Sequence, residues 1–266
     1  MSGTHQRTWQ PYHVGHLLIT IQLDSAASGS QIERHQELAI TTRRLISLAE
    51  SQRLPITWAV SDPAHSAATS LILQSEVDHE MAILGDANWV GDTAGRTRFA
   101  RELVRRLTQA RATGLNVTSL VPHVASIENH VDLVVKQHVT AVAGLKPTES
   151  TRRHTTPRAM HYGVWELPVS ESMPLPYSRF FSGKRSLWKR IRHTARDAGT
   201  FHLMISAPAI AASGESATKP VDWIIRRIAL LRDRGIVQVE TMRSVSARLS
   251  DIPAVKPQRS ILRAVA

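Results

Sequence analysis

None of the 266 residues is cysteine. That excludes a disulfide scaffold, a thiolate metal site and a cysteine nucleophile. It leaves the compartment open, since a chain without thiols is stable in oxidising and reducing surroundings alike. Aromatic residues are only 5% of the chain, and no RNA- or DNA-binding motif accompanies the basic ones. Nucleic acid is therefore disfavoured as a partner, although the formal net charge is +11. Long apolar runs are missing as well. The stretch MSGTHQRTWQPYHVGH is polar, and the first apolar run, residues 17–23, stops at Asp24, too short for a membrane span or signal anchor. A protein with no transmembrane segment, working in the cytoplasm, is the expectation. Glycine-rich phosphate loops are absent too: DSAASGS after the first apolar run lacks both G-x-G-x-x-G and a P-loop lysine.

What the chain does have is an ordinary globular composition, 42% hydrophobic and 21% charged, arranged in strict alternation. LLITIQL (17–23) reads as a strand, and residues 33–53 carry Leu38, Leu45, Ile46, Leu48 and Ala49 at a helical period. ITWAV (56–60) is the next strand, a short helix spans 64–73, and 80–84 is a strand again. Residues 95–113 form a strong helix with Phe99, Leu103, Val104 and Leu107 on one face and arginines on the other, closed by Gly114. Strands at 117–121 and 139–143 flank a helix at 127–137. Residues 145–162 lose periodicity and read as a long surface loop. Strand 164–169, a proline-punctuated loop, helix 184–198, strand 201–205, helix 221–234, strand 236–239 and helix 242–249 come next. Seven or eight βα units without a shift in composition predict a single distorted (β/α)7-8 barrel, with an open doubly wound sheet as the competing architecture. The expected division is a flexible N-terminal arm (1–16), the barrel (17–250) and a flexible basic tail (251–266).

Several strings in this order resemble the polysaccharide deacetylase, or NodB-homology, family over about residues 17–249. RLISLAESQRLPITWAV is similar to that family's helix-then-strand segment, and HEMAILGDANWVG to its metal-motif segment. RFARELVRRLTQARATGLNVTSLVPH, GVWELPVS, FHLMISAP and RDRGIVQVETMRSVSARL resemble later units. The resemblance implies a deacetylase-type barrel and metal-assisted hydrolysis of N-acetyl groups on a sugar polymer. Two histidines and an aspartate would hold a divalent metal, a second aspartate would act as base and a late-strand histidine as acid.

Carried over position by position, most of these roles fall on unsuited side chains. The histidine pair lands on Leu84 and Asn88; leucine has no donor atom, and an amide oxygen is a poor zinc ligand. Of the aspartate pair, Gln22 replaces one and Asp24 remains as the other. The acid falls on Ser206, a poor proton donor. This pattern implies a scaffold kept while its catalytic metal site decays. Expected substrate-binding residues are Trp89, placed in a loop where an indole could stack on a sugar, together with Gln22 and His123.

Other polar residues weigh differently. Asp24 reads equally as a binding carboxylate and as a turn aspartate. Asp78, His79 and Glu80 precede a strand and read as a solvated turn. Asp86 and Asp92, with Asp24, could hold a hard cation, though no spacing rule supports it. His202, inside an apolar strand, reads as a satisfied core histidine, and Trp58 as core. FFSGKRSLWKRIRHTARDAG is basic and amphipathic. It suits an outer barrel helix, or a surface for anionic lipid or a phosphate-rich polymer.

The expected role is catalytically silent: binding a glycan or glycoconjugate, or supporting a polysaccharide-biosynthesis enzyme, with no cofactor. The alternatives are an active amide hydrolase that uses zinc on atypical ligands (Asp24, Asp86, Asn88, His123), and a polyanion- or membrane-binding protein acting through its arginines.

Overall fold

Strand β1 (Gly15–Gln22) is the spine of the structure, and seven of its eight residues are buried. The structure is a computed structural model that describes residues 14–24, 32–64, 67–90, 94–122, 127–144, 156–173 and 180–251. Along one edge β1 pairs in parallel with β9 (Thr200–Ser206) from His16 to Gln22. Its other edge is shared. β10 (Val237–Glu240) takes Gly15 to Leu18, and β2 (Thr57–Val60) takes Thr20 to Gln22. The sheet continues from β2 through β3 (Glu80–Gly85), β4 (Ser119–Pro122) and β5 (Ala141–Gly144) to β7 (Trp165–Pro168). The two-residue β6 (Arg158–Ala159) lies antiparallel on β7, and β8 (Glu171–Met173) lies beyond β9.

One short stretch of chain serves both sides of the strand order. Residues 165–173 contribute β7, which pairs with β5, and then β8, which pairs with β9. The two ends of the strand order thus sit on one short segment. A doubly wound sheet would instead reverse its order at a switch point; here the strands run round in sequence and the first stands beside the last ones.

Residues paired in register share a face. Leu18, Ala59, Ala82, Leu84, Val121, Ala141, Ala143 and Leu167 point inward and form one apolar cluster with Met242 and Val245. The larger cluster lies between the outer face of the sheet and the helices. There α1 (Ile32–Ser51) buries Leu45 and Ala49, α4 (Arg96–Ala112) buries Phe99, Leu103 and Leu107, and α8 (Glu215–Asp233) buries Val221, Ile225 and Ile228. α2 (Ala67–Leu73), α5 (Val131–Lys136) and α6 (Phe180–Arg196) complete this layer.

Helix α9 (Met242–Asp251) covers the N-terminal end of the barrel. Met242 N donates to Thr57 Oγ1 at 3.0 Å, Arg243 N to Glu80 Oε2 at 2.9 Å, and Trp165 Nε1 to Ser250 Oγ at 3.0 Å. This corrects the solvated-turn expectation for Glu80, which is 1% exposed. Its carboxyl also accepts from Thr57 Oγ1 and Ser119 Oγ, and burial pushes its pKa up. α9 turns what looks in sequence like a loop end into interior.

Other boundaries differ for similar reasons. β1 takes in Gly15 and His16, expected in the N-terminal arm, because β10 pairs with them and His16 bonds Glu240 at 2.6 Å. β6 lies inside the expected long loop and β8 inside the proline-punctuated one. Short helices α3 (Ala87–Val90) and α7 (Ala207–Ser213) were not expected. α8 begins at Glu215 and carries Pro220 within it; burial of Ala217, Val221 and Ile224 holds a helix through a residue that local propensity treats as a stop. Residues 1–13 and 252–266, most of the expected arm and tail, lie outside the described residues. Among the described residues no helix is long and apolar enough to cross a membrane.

His202 sits inside the barrel as expected of a core histidine. Its Nδ1–H donates to Leu167 O at 3.0 Å, and Nε2 accepts from Thr20 Oγ1 at 2.8 Å. Burial lowers its pKa from 6.5 to about 4. The folded state therefore requires the neutral ring. The stability tied to it is intact above pH 6.5 and is lost as pH falls toward 4, by on the order of 3 kcal/mol. His79, half-buried beside Trp58, is also lowered to about 4 and adds to the loss. Urea denaturation at pH 7.5 and 4.5 should show this drop, and His202→Gln should flatten the pH dependence although it lowers stability at pH 7.5.

Candidate functional site at the barrel mouth

The C-terminal ends of the strands form the open rim, the position where ligands bind in barrels of this kind. Gln22 ends β1, and its register partners are Ser206 on β9 and Ala59 on β2. The expected cluster of Gln22, Asp24 and Ser206 is therefore brought to one side of the rim. Leu84 lies near the end of β3, in register with Val121, and is 0% exposed within the inner apolar cluster.

Gln22, Asp24, Asp86 and Ser206 each already have a structural partner. Gln22, 6% exposed, points Nε2 at Met204 Sδ, 3.2 Å away. Asp24, half-buried, accepts at Oδ2 from Ser61 N at 2.5 Å and so ties the end of β1 to the end of β2. Asp86 is the cap of α3: its Oδ1 accepts from Asn88 N at 2.8 Å, and its carbonyl accepts from Val90 N at 3.0 Å. Ser206 caps α7, with Oγ accepting from Ala209 N at 3.3 Å. Asn88 is exposed on α3. The tight turn into α3 depends on Gly85, where a Cβ would lie 2.3 Å from Val90 Cγ2.

Trp89 is a correction. It was expected in a loop with a free indole face, but it is 1% exposed in α3. The amphipathic turn Ala87–Val90 rotates its ring inward, where it meets Phe99 at 5.6 Å between ring centroids. Phe99 in turn stacks on His130 at 4.5 Å. A buried indole cannot stack on a sugar, so Trp89 leaves the set of binding residues. His123 and Asp92 lie outside the described residues.

Arg106 was missed in sequence, where it reads as one more arginine on a basic helix face. It is 8% exposed. Its guanidinium covers the Trp89 ring at 5.2 Å, donates to Ser61 O and lies 3.7 Å from Glu102. Burial lowers its pKa, opposed by Glu102, Asp86 and Asp62. Ser61 thus gives its N–H to Asp24 and its carbonyl to Arg106, which joins the β1, β2 and β3 ends of the rim into one network. The only sequence signal was position: Arg106 falls at i+3 and i+7 from Leu103 and Phe99, on the buried face.

A divalent cation needs several convergent donors. Among the described residues no three of His, Asp or Glu come together. Leu84 supplies no donor, and Asp86 and Ser206 spend oxygens on helix caps. The described side chains do not fit the metal that the resemblance implies, and no catalytic step is derived through one. What the described rim presents is amide, carboxylate and hydroxyl groups.

No protein-family model matches the chain, and no curated protein matches it in sequence. Solved structures do match. A Mycobacterium smegmatis protein described as a polysaccharide deacetylase superposes with a TM-score of 0.67 at 14% identity, over 91% of this chain and 92% of that one. The PuuE allantoinase gives 0.68 at 9% identity, over 93% and 94%. A Bordetella bronchiseptica protein described as a polysaccharide deacetylase involved in O-antigen biosynthesis gives 0.51 at 16% identity, over 88% and 90%. The chain has the polysaccharide-deacetylase type of distorted (β/α) barrel.

Burial of Trp89 generates a direct test. Trp89→Ala should cost about 3–5 kcal/mol of unfolding free energy, as for other buried aromatic truncations, measured by urea denaturation. A stability change below about 1 kcal/mol would contradict the packing described.

Proposed function

We propose that the protein works in carbohydrate metabolism as a catalytically silent deacetylase-type barrel, binding a glycan or glycoconjugate at its rim or supporting an enzyme that acts on one. The observation that carries this reading is Leu84. A fully buried hydrocarbon stands where the resemblance implies a metal-binding histidine, and filling that place with apolar atoms removes the means of activating water. Gln22 and Asp24 remain as polar groups at the end of β1, and Asn88 is exposed on α3. Two of the proteins that share the fold are described as polysaccharide deacetylases, one of them as involved in O-antigen biosynthesis, which is the support for a saccharide ligand.

Calorimetric titration with an N-acetylated chito-oligosaccharide, run beside an acetate-release assay with and without added zinc, tests it. Saturable binding without acetate release is expected. Asp24→Ala and Gln22→Ala should each weaken binding, the charged group by about tenfold or more. Zinc-dependent acetate release would overturn the silent reading in favour of a hydrolase with atypical ligands. Failure to bind this probe together with failure on a panel of envelope glycans would overturn the saccharide reading.

A further inference from the structure

Helix α6 turns its apolar side to the barrel: Leu187, Ile191 and Ala195 are at most 4% exposed. Its outer side carries Arg185, Lys189, Arg192 and Arg196, all exposed, at steps of four, three and four residues that place them in one stripe. None of the four takes part in an ion pair among the described residues; of the acids nearby, Glu171 pairs with Arg190 and Asp197 lies 3.4 Å from His193. Like charges at this spacing repel, so the stripe weakens the isolated helix. Next to it, Trp188 meets Trp223 of α8 edge to face, with 6.0 Å between ring centroids. Arg227 lies over the Trp223 ring at 5.5 Å. These side chains enclose a groove of about 540 Å³ on the outer helical layer, separate from the barrel mouth. That size suits a discrete small ligand.

We propose that this groove binds an anionic saccharide, a sugar unit or short chain bearing carboxylate or phosphate groups. Indole faces pack against the apolar C–H side of a sugar ring, and guanidinium groups take oxyanions in paired hydrogen bonds. A bare polyanion would use the cations and need no indole. An anionic membrane would need apolar side chains standing out from the surface; those of α6 are buried, and the two tryptophans are half-buried in a concavity. The inference rests on the saccharide reading above and adds the charge of the ligand and a second place of contact.

The test is tryptophan fluorescence and calorimetry on the full chain with four probes: a short oligogalacturonate, a neutral malto-oligosaccharide of equal length, inorganic polyphosphate, and phosphatidylglycerol vesicles. Oligogalacturonate should bind saturably, quench emission and weaken with added salt, while the neutral chain binds far less well. The double variant Lys189→Glu/Arg192→Glu, on exposed positions that leave the core untouched, should lose affinity by about tenfold or more, and Trp188→Ala by about fivefold. Should Trp188→Ala unfold, Trp188→Leu takes its place in every comparison. Polyphosphate binding that is as tight and indifferent to Trp188→Ala would overturn the proposal in favour of a bare polyanion surface. Vesicle binding without oligogalacturonate binding would overturn it in favour of a membrane. Oligogalacturonate binding that survives the groove variants but is lost in Asp24→Ala would overturn the groove and leave the rim reading standing. Binding lost only in the groove variants would support the groove whatever becomes of the rim.

Discussion

β1 is hydrogen-bonded along both edges and covered on both faces, and the rest of the barrel is arranged by those constraints. One edge belongs to β9. The other is divided between β10 near the start of the strand and β2 near its end. A strand with no free edge and no solvated face can hold only apolar or fully paired side chains. Its buried basic neighbour His202 accordingly stays neutral between Thr20 and Leu167 O. The inward positions beside β1 continue that apolar requirement up to Leu84 at the rim.

The consequence for chemistry lies in how the rim is filled. In this chain the polar rim groups serve the architecture first: Asp24 joins β1 to β2, Asp86 starts α3, Ser206 starts α7, and Arg106 holds Ser61 above Trp89. A carboxylate committed to a backbone N–H has fewer lone pairs for a cation, and a leucine has none. The described strand ends form a hydrogen-bonding rim above the inner apolar cluster.

Much of this was legible in the sequence. Strand and helix positions came from periodicity, because parallel strands buried on both faces read as short apolar runs and outer helices as amphipathic ones. Leu84, Gln22, Asp24 and Ser206 were singled out by the resemblance of the strings around them, and the structure puts them at or just beyond strand ends. Trp89 could not be placed. A four-residue helix has too few turns to show a period, so whether its indole faced out or in depended on the pocket offered by Phe99 and Arg106. Glu80 misled for the opposite reason. Its burial is imposed by α9, far later in the chain, whose Arg243 N bonds its carboxyl.

The groove between α6 and α8 divides in the same way. The basic stripe on α6 is a property of one helix and is visible in its spacing, whereas its partner indole comes from α8 and meets it only through packing on the outer layer. By itself the sequence determined the alternation of elements, the basic charge and the residue types at each strand end, since these depend on neighbours a few positions away. Tertiary structure alone decided which of those side chains are buried, which are spent on caps and which stand together, because burial and pairing are settled by elements distant in the chain.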